Sequence, residues 1–389
     1  MSEFQASNFK KENGGTPDLL GKTELTSPYF FVPPSGDTAS RPQSCAAGTL
    51  RFNTDIGSLE VYRGDTIGWE SIQRRENQYL GGGTGSNTGL GTRGIFSGGY
   101  LSGSNDQAGI DFITISTLGN SQDFGDMSDA RRGLGGSGSE TRGIFTGGDA
   151  SPGNPSNRMG HVTISSLGNE TDFGNLTTGR ESVSALSDSV RSISIAGYAA
   201  PANSDIMDYI TIAALGDAID FGDLSTARSN TATFSSTTRG VIAGGEQPSS
   251  ANAIDFITIR TTGNSTSFGN LGVSAYNSGP TGSSNSVRGF ILGGNSPSPI
   301  GRLNTIEFVT IATTGNGIDF GDLTVARQAG ADAASKTRIV FAGGNSDPSS
   351  INVMDFVEIA TTGNAVDFGD MVYARFSGAG TSSGHGGLG

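Results

Sequence analysis

Asp-Phe-Gly occurs five times in this chain, at Asp123, Asp172, Asp220, Asp319 and Asp367. One copy beside a glycine-rich nucleotide loop would suggest a magnesium-holding carboxylate for phosphoryl transfer. Repeated copies, without that loop, a strand lysine or a catalytic Asp-Asn loop, point instead to a turn carrying a packing aromatic. Asp126, Asp223, Asp322 and Asp370 each stand shortly before an arginine. That spacing predicts repeated ion pairs or turn caps rather than calcium ligands. Paired carboxylates could also cleave glycosidic bonds, but carboxylates that recur with a fixed period favour structure. The histidines are His161 and His385, and the lone cysteine is Cys45. These cannot build a Cys/His zinc site, and no nucleophile and base stand in a recognisable pattern. The sequence therefore predicts no catalytic, cofactor-binding or metal-binding residue, no cofactor, and no enzyme.

The elements that carry these residues repeat six times, at a spacing of 48 to 50 residues. Each copy opens on an arginine: Arg93, Arg142, Arg191, Arg239, Arg288 and Arg338. A short apolar strand follows, then a glycine doublet, a variable loop and a run such as Ile110-Asp111-Phe112-Ile113-Thr114-Ile115. A Gly-Asn turn, the Phe-Gly motif and a trailing arginine (Arg131, Arg180, Arg228, Arg327, Arg375) complete the copy. In the second copy the strand candidates are 133–139, 141–146, 159–165 and 171–176. Four strands in such a period match one blade of a β-propeller. Small residues such as Gly135, Gly136, Ala333 and Ala334 suit an innermost strand beside a narrow channel. Phe112, Tyr209, Phe256, Phe308 and Phe356 are expected to pair with the Phe-Gly aromatics and fill the space between blades. Each such burial is worth roughly 1.5 to 3 kcal/mol. His161 replaces that aromatic in the second copy, where a weaker sheet is expected. The arginines that open each copy should lay their stems along blade faces, with wet heads or carboxylate partners.

The glycine doublets Gly98-Gly99, Gly147-Gly148, Gly244-Gly245, Gly293-Gly294 and Gly343-Gly344 carry a resemblance to kelch repeats. So do Phe124, Phe173, Phe221, Phe268, Phe320 and Phe368, which stand where kelch repeats usually have tryptophan. The third copy departs at Gly197-Tyr198 and the fourth has Tyr276 for its trailing arginine. The resemblance implies a fold and brings no partner or activity. The expected class is all-β: a six-bladed kelch-like β-propeller over 79–389, behind an extended arm (1–47) and a small β-hairpin module (48–78). Residues 377–383 resemble a further inner strand. They either replace 81–87 in the first blade or hang free. A seventh blade borrowing 48–72 is the less favoured arrangement.

The composition fits short strands and turns, with 62 glycines among 389 residues. A net charge of −13, and no lysine between Lys22 and Lys336, argue against nucleic-acid binding. Met1-Ser2-Glu3-Phe4 lacks the pattern of a secretory leader, and no apolar run approaches membrane-spanning length, so no membrane insertion is expected. Prolines 17, 28, 33, 34 and 42 make the first segment an extended arm, with Tyr29, Phe30 and Phe31 as its anchors. Residues 48–72 read as a hairpin or three-stranded ribbon, with Arg63-Gly64-Asp65 as a turn. Gly48-Thr49-Leu50-Arg51-Phe52-Asn53-Thr54, Leu59-Glu60-Val61-Tyr62 and Gly68-Trp69-Glu70 resemble a hairpin of bacteriophage virion proteins. The Thr26–Pro34 stretch and Arg41-Pro42 resemble the start of structural proteins from phages of marine cyanobacteria. The resemblance implies a virion structural protein, assembled in the host cytoplasm and present as a homo-oligomer or in multiple copies in the particle. It would be a tail, fibre or decoration component held by residues 1–78 to other virion proteins. One variable loop per blade on a rigid scaffold suits recognition of a host-surface glycan or protein. The candidate residues are Tyr100, Asn154, Tyr198, Gln247, Arg302 and Asn345, with Tyr100 and Tyr198 available for stacking.

Overall fold

A burial gradient explains why each repeat makes four different strands. Second strands such as Arg338–Ala342 are buried on both faces and so read as nearly unbroken apolar runs. Outer strands such as Val366–Asp370 bury Phe368 and leave their first two residues exposed. Their acidic residues discourage pairing with a foreign strand at this open edge. Inner strands such as Ala331–Ala334 hold small residues because their neighbours approach closely. A Cβ on Gly136 would lie 2.2 Å from the Gly380 carbonyl oxygen, and one on Gly380 would lie 2.0 Å from that of Asp332.

A computed structural model describes residues 33–42, 45–55, 58–66, 68–71, 92–103, 105–150, 154–247, 252–272, 281–296 and 301–389. Two units divide the chain, 1–77 and 78–389. Both are all-β, and the one helical element among the described residues is a 3-10 turn at Gly386–Leu388. The larger unit has a propeller-like architecture of six four-stranded antiparallel sheets. In the second sheet, Gly135–Gly138, Arg142–Thr146, Arg158–Thr163 and Thr171–Asn175 lie in sequence order, each overlapping its expected range. The Phe-Gly motifs form these outer strands rather than turns.

The first sheet is built from both ends of the unit. Ala379–Ser382 takes its inner position, pairing Ala379 with Ser97 and Ser382 with Gly94. The closing segment therefore does not hang free; residues 81–87 lie outside the described residues. In the third repeat the doublet position is Ala196-Gly197, not Gly197-Tyr198, and Ala196 adopts a left-handed φ of 58° where other repeats have glycine. His161 sits half-buried, edge-on to Phe173 at 5.8 Å, and its sheet pairs over the same length as its neighbours.

The smaller unit has one four-stranded sheet in the order Ser35–Gly36, Leu50–Asn53, Ser58–Tyr62, Trp69–Ser71. Ser35–Gly36 was expected in the extended arm but adds a parallel strand, so part of that arm is packed. The Trp69 Nε1–H donates to the Pro42 carbonyl at 3.0 Å, and Arg41 pairs with buried Glu60. The Arg63-Gly64-Asp65 turn is confirmed by Gly64 at φ 95° and by the Tyr62 hydroxyl donating to Asp65. Tyr29, Phe30 and Phe31 lie outside the described residues.

Candidate functional site

Most of the repeated charged residues tie one sheet to the next. Every third strand carries a β-bulge just before its carboxylate position, for example between Met207 and Asp208 or Ile254 and Asp255. A bulge re-aims a side chain, and here it turns the carboxylate toward the preceding sheet. There the trailing arginine meets it: Arg180 with Asp208 at 2.6 Å, Arg228 with Asp255, Arg327 with Asp355 at 3.1 Å and Arg375 with Asp111 at 3.1 Å. All four arginines are buried. Burial pulls their guanidinium pKa values down, and the facing carboxylates oppose that shift. The expected partners Asp126, Asp223, Asp322 and Asp370 are not theirs. Those residues stay at the rim, where their backbone N–H groups are capped by an Asn side chain of the next sheet, as Asp126 is by Asn169 at 3.0 Å.

The second repeat solves the same problem with different residues. Gly160 stands where the aspartate belongs, and Glu170 reaches in from the following turn to meet Arg131 at 2.8 Å. A Cβ on Gly160 would lie 1.9 Å from the Glu170 carboxylate. The fifth repeat shows the reverse exchange, Glu307 beside Gly317, whose added Cβ would lie 2.1 Å from that carboxylate. One carboxylate fits each junction, and the small partner position moves to admit it.

The opening arginines also cross between sheets. Arg93, Arg142, Arg191, Arg239 and Arg288 donate from Nη1 to the carbonyls of Ile164, Ile212, Ile259, Ile311 and Ile359 in the following sheet. Arg338 of the sixth sheet donates to Ile115 of the first at 3.1 Å. Five of the six heads lie over the aromatic of their own third strand, at 4.3 Å for Arg239 over Phe256. The heads thus make carbonyl and aromatic contacts while five of the six arginines stay half-buried, and Arg338 has the expected kind of carboxylate partner in Glu358.

Several departures from the repeat lie where the variable loops emerge. At that end a backbone bridge joins the residue after each trailing arginine to the residue after the next glycine doublet. Ser229–Glu246 and Gln328–Asn345 are two such pairs, while Phe376–Tyr100, Arg132–Asp149 and Glu181–Tyr198 bring aromatic and charged groups together. The Arg132 head lies 5.1 Å over the Tyr100 ring, 3.0 Å from Asp149 and 3.6 Å from Asp106. The Glu181 carboxyl faces Asp149 in turn. Burial raises its pKa, and the neighbouring charge and carboxyl of Asp149 add to the rise. Tyr100, Arg132, Asp149, Glu181 and Tyr198 therefore form one continuous strip across three sheets.

Of the expected recognition residues, Tyr100 and Tyr198 belong to this strip, whereas Asn154 is exposed on the second loop and Gln247 half-buried on the fourth. Arg302 and buried Asn345 are engaged with each other at 2.9 Å, and Arg302 also holds Gln328 at 2.6 Å. Asp106, Asp149, Arg132 and Glu181 were missed, although their failure to recur in the repeat was a legible signal.

A second non-repeating group lies at the centre. The inner strands surround a cavity of about 130 Å³ whose lining includes Thr233, Ser283, Asp332, Thr381 and His385. Burial pushes the Asp332 carboxyl up to about 7, opposed by a hydrogen bond with Ser283. With a folded pKa of about 7 against 3.8 unfolded, the folded chain holds the extra proton between those values. Stability should therefore fall as pH rises through that window and level off above it. Melting curves of Asp332→Asn are expected to lose this slope; an unchanged slope would assign it to another group.

A scan against protein-family models and a search of curated proteins each returned no match to this chain.

Proposed function

We propose that the chain is a non-enzymatic structural protein of a bacteriophage virion, a tail, fibre or decoration component. Residues 1–77 attach it, and a closed six-bladed kelch-like propeller displays its loop end. The observation that carries the display reading is the division of labour among charged residues: the recurring ones tie sheets together, and the non-recurring Arg132, Asp149 and Glu181 gather at the loop end. Closure into six blades is supported by the hydrogen bonds linking each sheet to the next, including Arg338 of the sixth to Ile115 of the first. Virion origin rests on the hairpin wording between Gly48 and Glu70.

Attachment through the smaller unit is supported by its inverted sheet. Arg51, Asn53, Glu60 and Tyr62 are buried on one face, while Leu50 and Phe52 are exposed on the other beside half-buried Leu59 and Val61. An uncovered apolar face of this kind suits a protein partner. Deleting residues 1–77 is expected to leave the larger unit folded and to reduce incorporation into particles at least about tenfold. A tenfold loss corresponds to about 1.4 kcal/mol of attachment energy. Wild-type incorporation would reject the attachment role.

Host-surface saccharide binding is the second reading, favoured by two tyrosines flanking carboxylates that can accept sugar hydroxyls. Tyr198→Ala in the full chain should lower saccharide-array signal by about tenfold, as expected for loss of a stacking contact. An unchanged signal, or no signal from the unaltered chain, would leave only the architectural role.

A further inference from the structure

The inner strands end together at the turn end of the central well, and the last residues of the chain lie across it. Ser187, Ser235 and Ser284 donate their hydroxyls to the carbonyls of Gly138, Ser187 and Ser235, and Ser382 donates to Ala334. Against this layer Gly386–Leu388 form their 3-10 turn. Its glycines are required by close approach. A Cβ on Gly386 would lie 2.3 Å from the Asn285 carbonyl oxygen, and one on Gly387 would lie 1.8 Å from that of Ser187. The tail thus crosses from the third sheet to the fifth and floors the well.

One side chain fastens this floor. The Ser383 N–H still donates to the Arg93 carbonyl at 3.0 Å, but beyond it the backbone bonds run within the tail, from Leu388 to His385 and from Gly389 to Gly386. Among the described residues, the tail's hydrogen bonds to other elements are those of the His385 ring, whose Nε2 lies 3.0 Å from the Gly138 carbonyl and 3.4 Å from the Ser187 hydroxyl. Its Nδ1 accepts from the Gly387 N–H at 3.2 Å and so caps the 3-10 turn. Together these contacts fix the neutral ring with its proton on Nε2.

We propose that His385 is an acid-sensitive latch: residues 384–389 floor the well while the imidazole is neutral and leave it when the ring is doubly protonated. In the imidazolium, Nδ1–H would point at the Gly387 N–H, donor against donor. The cap is then lost, and the buried Gly387 amide has no acceptor. The new charge also meets no free carboxylate. Asp188, on the inner turn of the third sheet, acts on the ring, but it is paired with Arg260 of the fourth sheet and accepts from the Val190 and Arg191 N–H groups. Asp332 lines the same well and is hydrogen-bonded with Ser283. The other charged residues of the inner turns are exposed Glu140 and half-buried Lys336. Burial holds the His385 pKa below its ordinary 6.5, opposed by the Gly138 carbonyl and Asp188. The closed tail is therefore favoured in full above 6.5 and loses that advantage as pH falls below it. This latch is independent of the loop-end reading and does not depend on virion origin.

The test is hydrogen exchange at the Gly387 amide of the full chain, corrected for intrinsic rates, at about pH 7.5 and about pH 5, on either side of the range in which histidine titrates. The unaltered chain should lose protection there at least about tenfold in acid, equivalent to about 1.4 kcal/mol, while the strand Ala379–Ser382 stays protected. His385→Asn, whose side-chain oxygen caps at either pH, should show no such loss, and His385→Ala should be unprotected at both. Asp332→Asn should release its tail as the unaltered chain does. Protection that persists in acid, an equal loss in His385→Asn, a protected tail in His385→Ala, or a tail that Asp332→Asn keeps closed would each overturn the latch. Loss of protection across 379–382 at the same pH would show general unfolding and overturn it as well.

Discussion

Arg228→Ala should destabilise the larger unit by about 3–5 kcal/mol, the cost of leaving a buried carboxylate without its partner. Arg228 is fully buried and its guanidinium serves both Asp255 and the Ala253 carbonyl, while Ser225 donates to the same carboxylate. Removing the arginine strands Asp255, which is 2 % exposed, between two sheets. The double variant Arg228→Met with Asp255→Leu is expected to recover most of the loss, because apolar groups of similar volume need no partner. Arg338→Ala makes a useful contrast for the ionic term, since its partner Glu358 is about half exposed and that pair contributes at most about 1 kcal/mol. Urea denaturation of the four proteins would decide. If Arg228→Ala costs no more than Arg338→Ala, the junction pairs are not what the sheets depend on.

The repeat was legible because its period forces the same packing problem to be solved six times over. Strand order, the central position of small residues and the packing role of Phe124 and its equivalents all follow from that. What escaped was the direction of side chains across junctions. Asp126 and Arg131 are close in sequence, and proximity suggested a pair; the turn before the outer strand brings Glu170 to Arg131 instead, into room left by Gly160 on the bulged third strand. A bulge has no clear composition signal, so the true partner, 39 residues away, could not be read from spacing. Asp332 was overlooked for a related reason. It sits among alanines in Ala331–Ala334, and a small-residue pattern hides one polar exception unless the six copies are compared position by position. In the smaller unit, Leu50-Arg51-Phe52-Asn53 alternates as expected of a strand, but the polar set is the buried one. Alternation announces two faces without saying which of them is covered.

Truncation after residue 376 is expected to abolish cooperative folding of the larger unit. The lost segment supplies the inner strand of the first sheet, paired from Ala379 to Ser382 against Gly94 to Ser97. It also supplies the Ser377 backbone, whose carbonyl accepts from Gly133 at 2.7 Å and whose N–H donates to Ala329 at 2.6 Å, joining the sheets on either side. Its removal uncovers Ile95 and Phe96, both fully buried, at roughly 1.5 to 3 kcal/mol each. Each lost hydrogen bond adds about 1 kcal/mol. Together these approach the 5–15 kcal/mol that typically holds a domain folded. Truncation after residue 383 keeps the strand and removes only the floor of the well. It should lower the melting temperature by a few degrees while preserving a single transition. The comparison separates closure from plugging. If the shorter chain still melts cooperatively near the wild-type temperature, the last strand is an ornament and the larger unit does not depend on pairing its two ends. If a synthetic 377–389 peptide restores the transition in trans, the strand itself, rather than its covalent continuity, is what completes the first sheet.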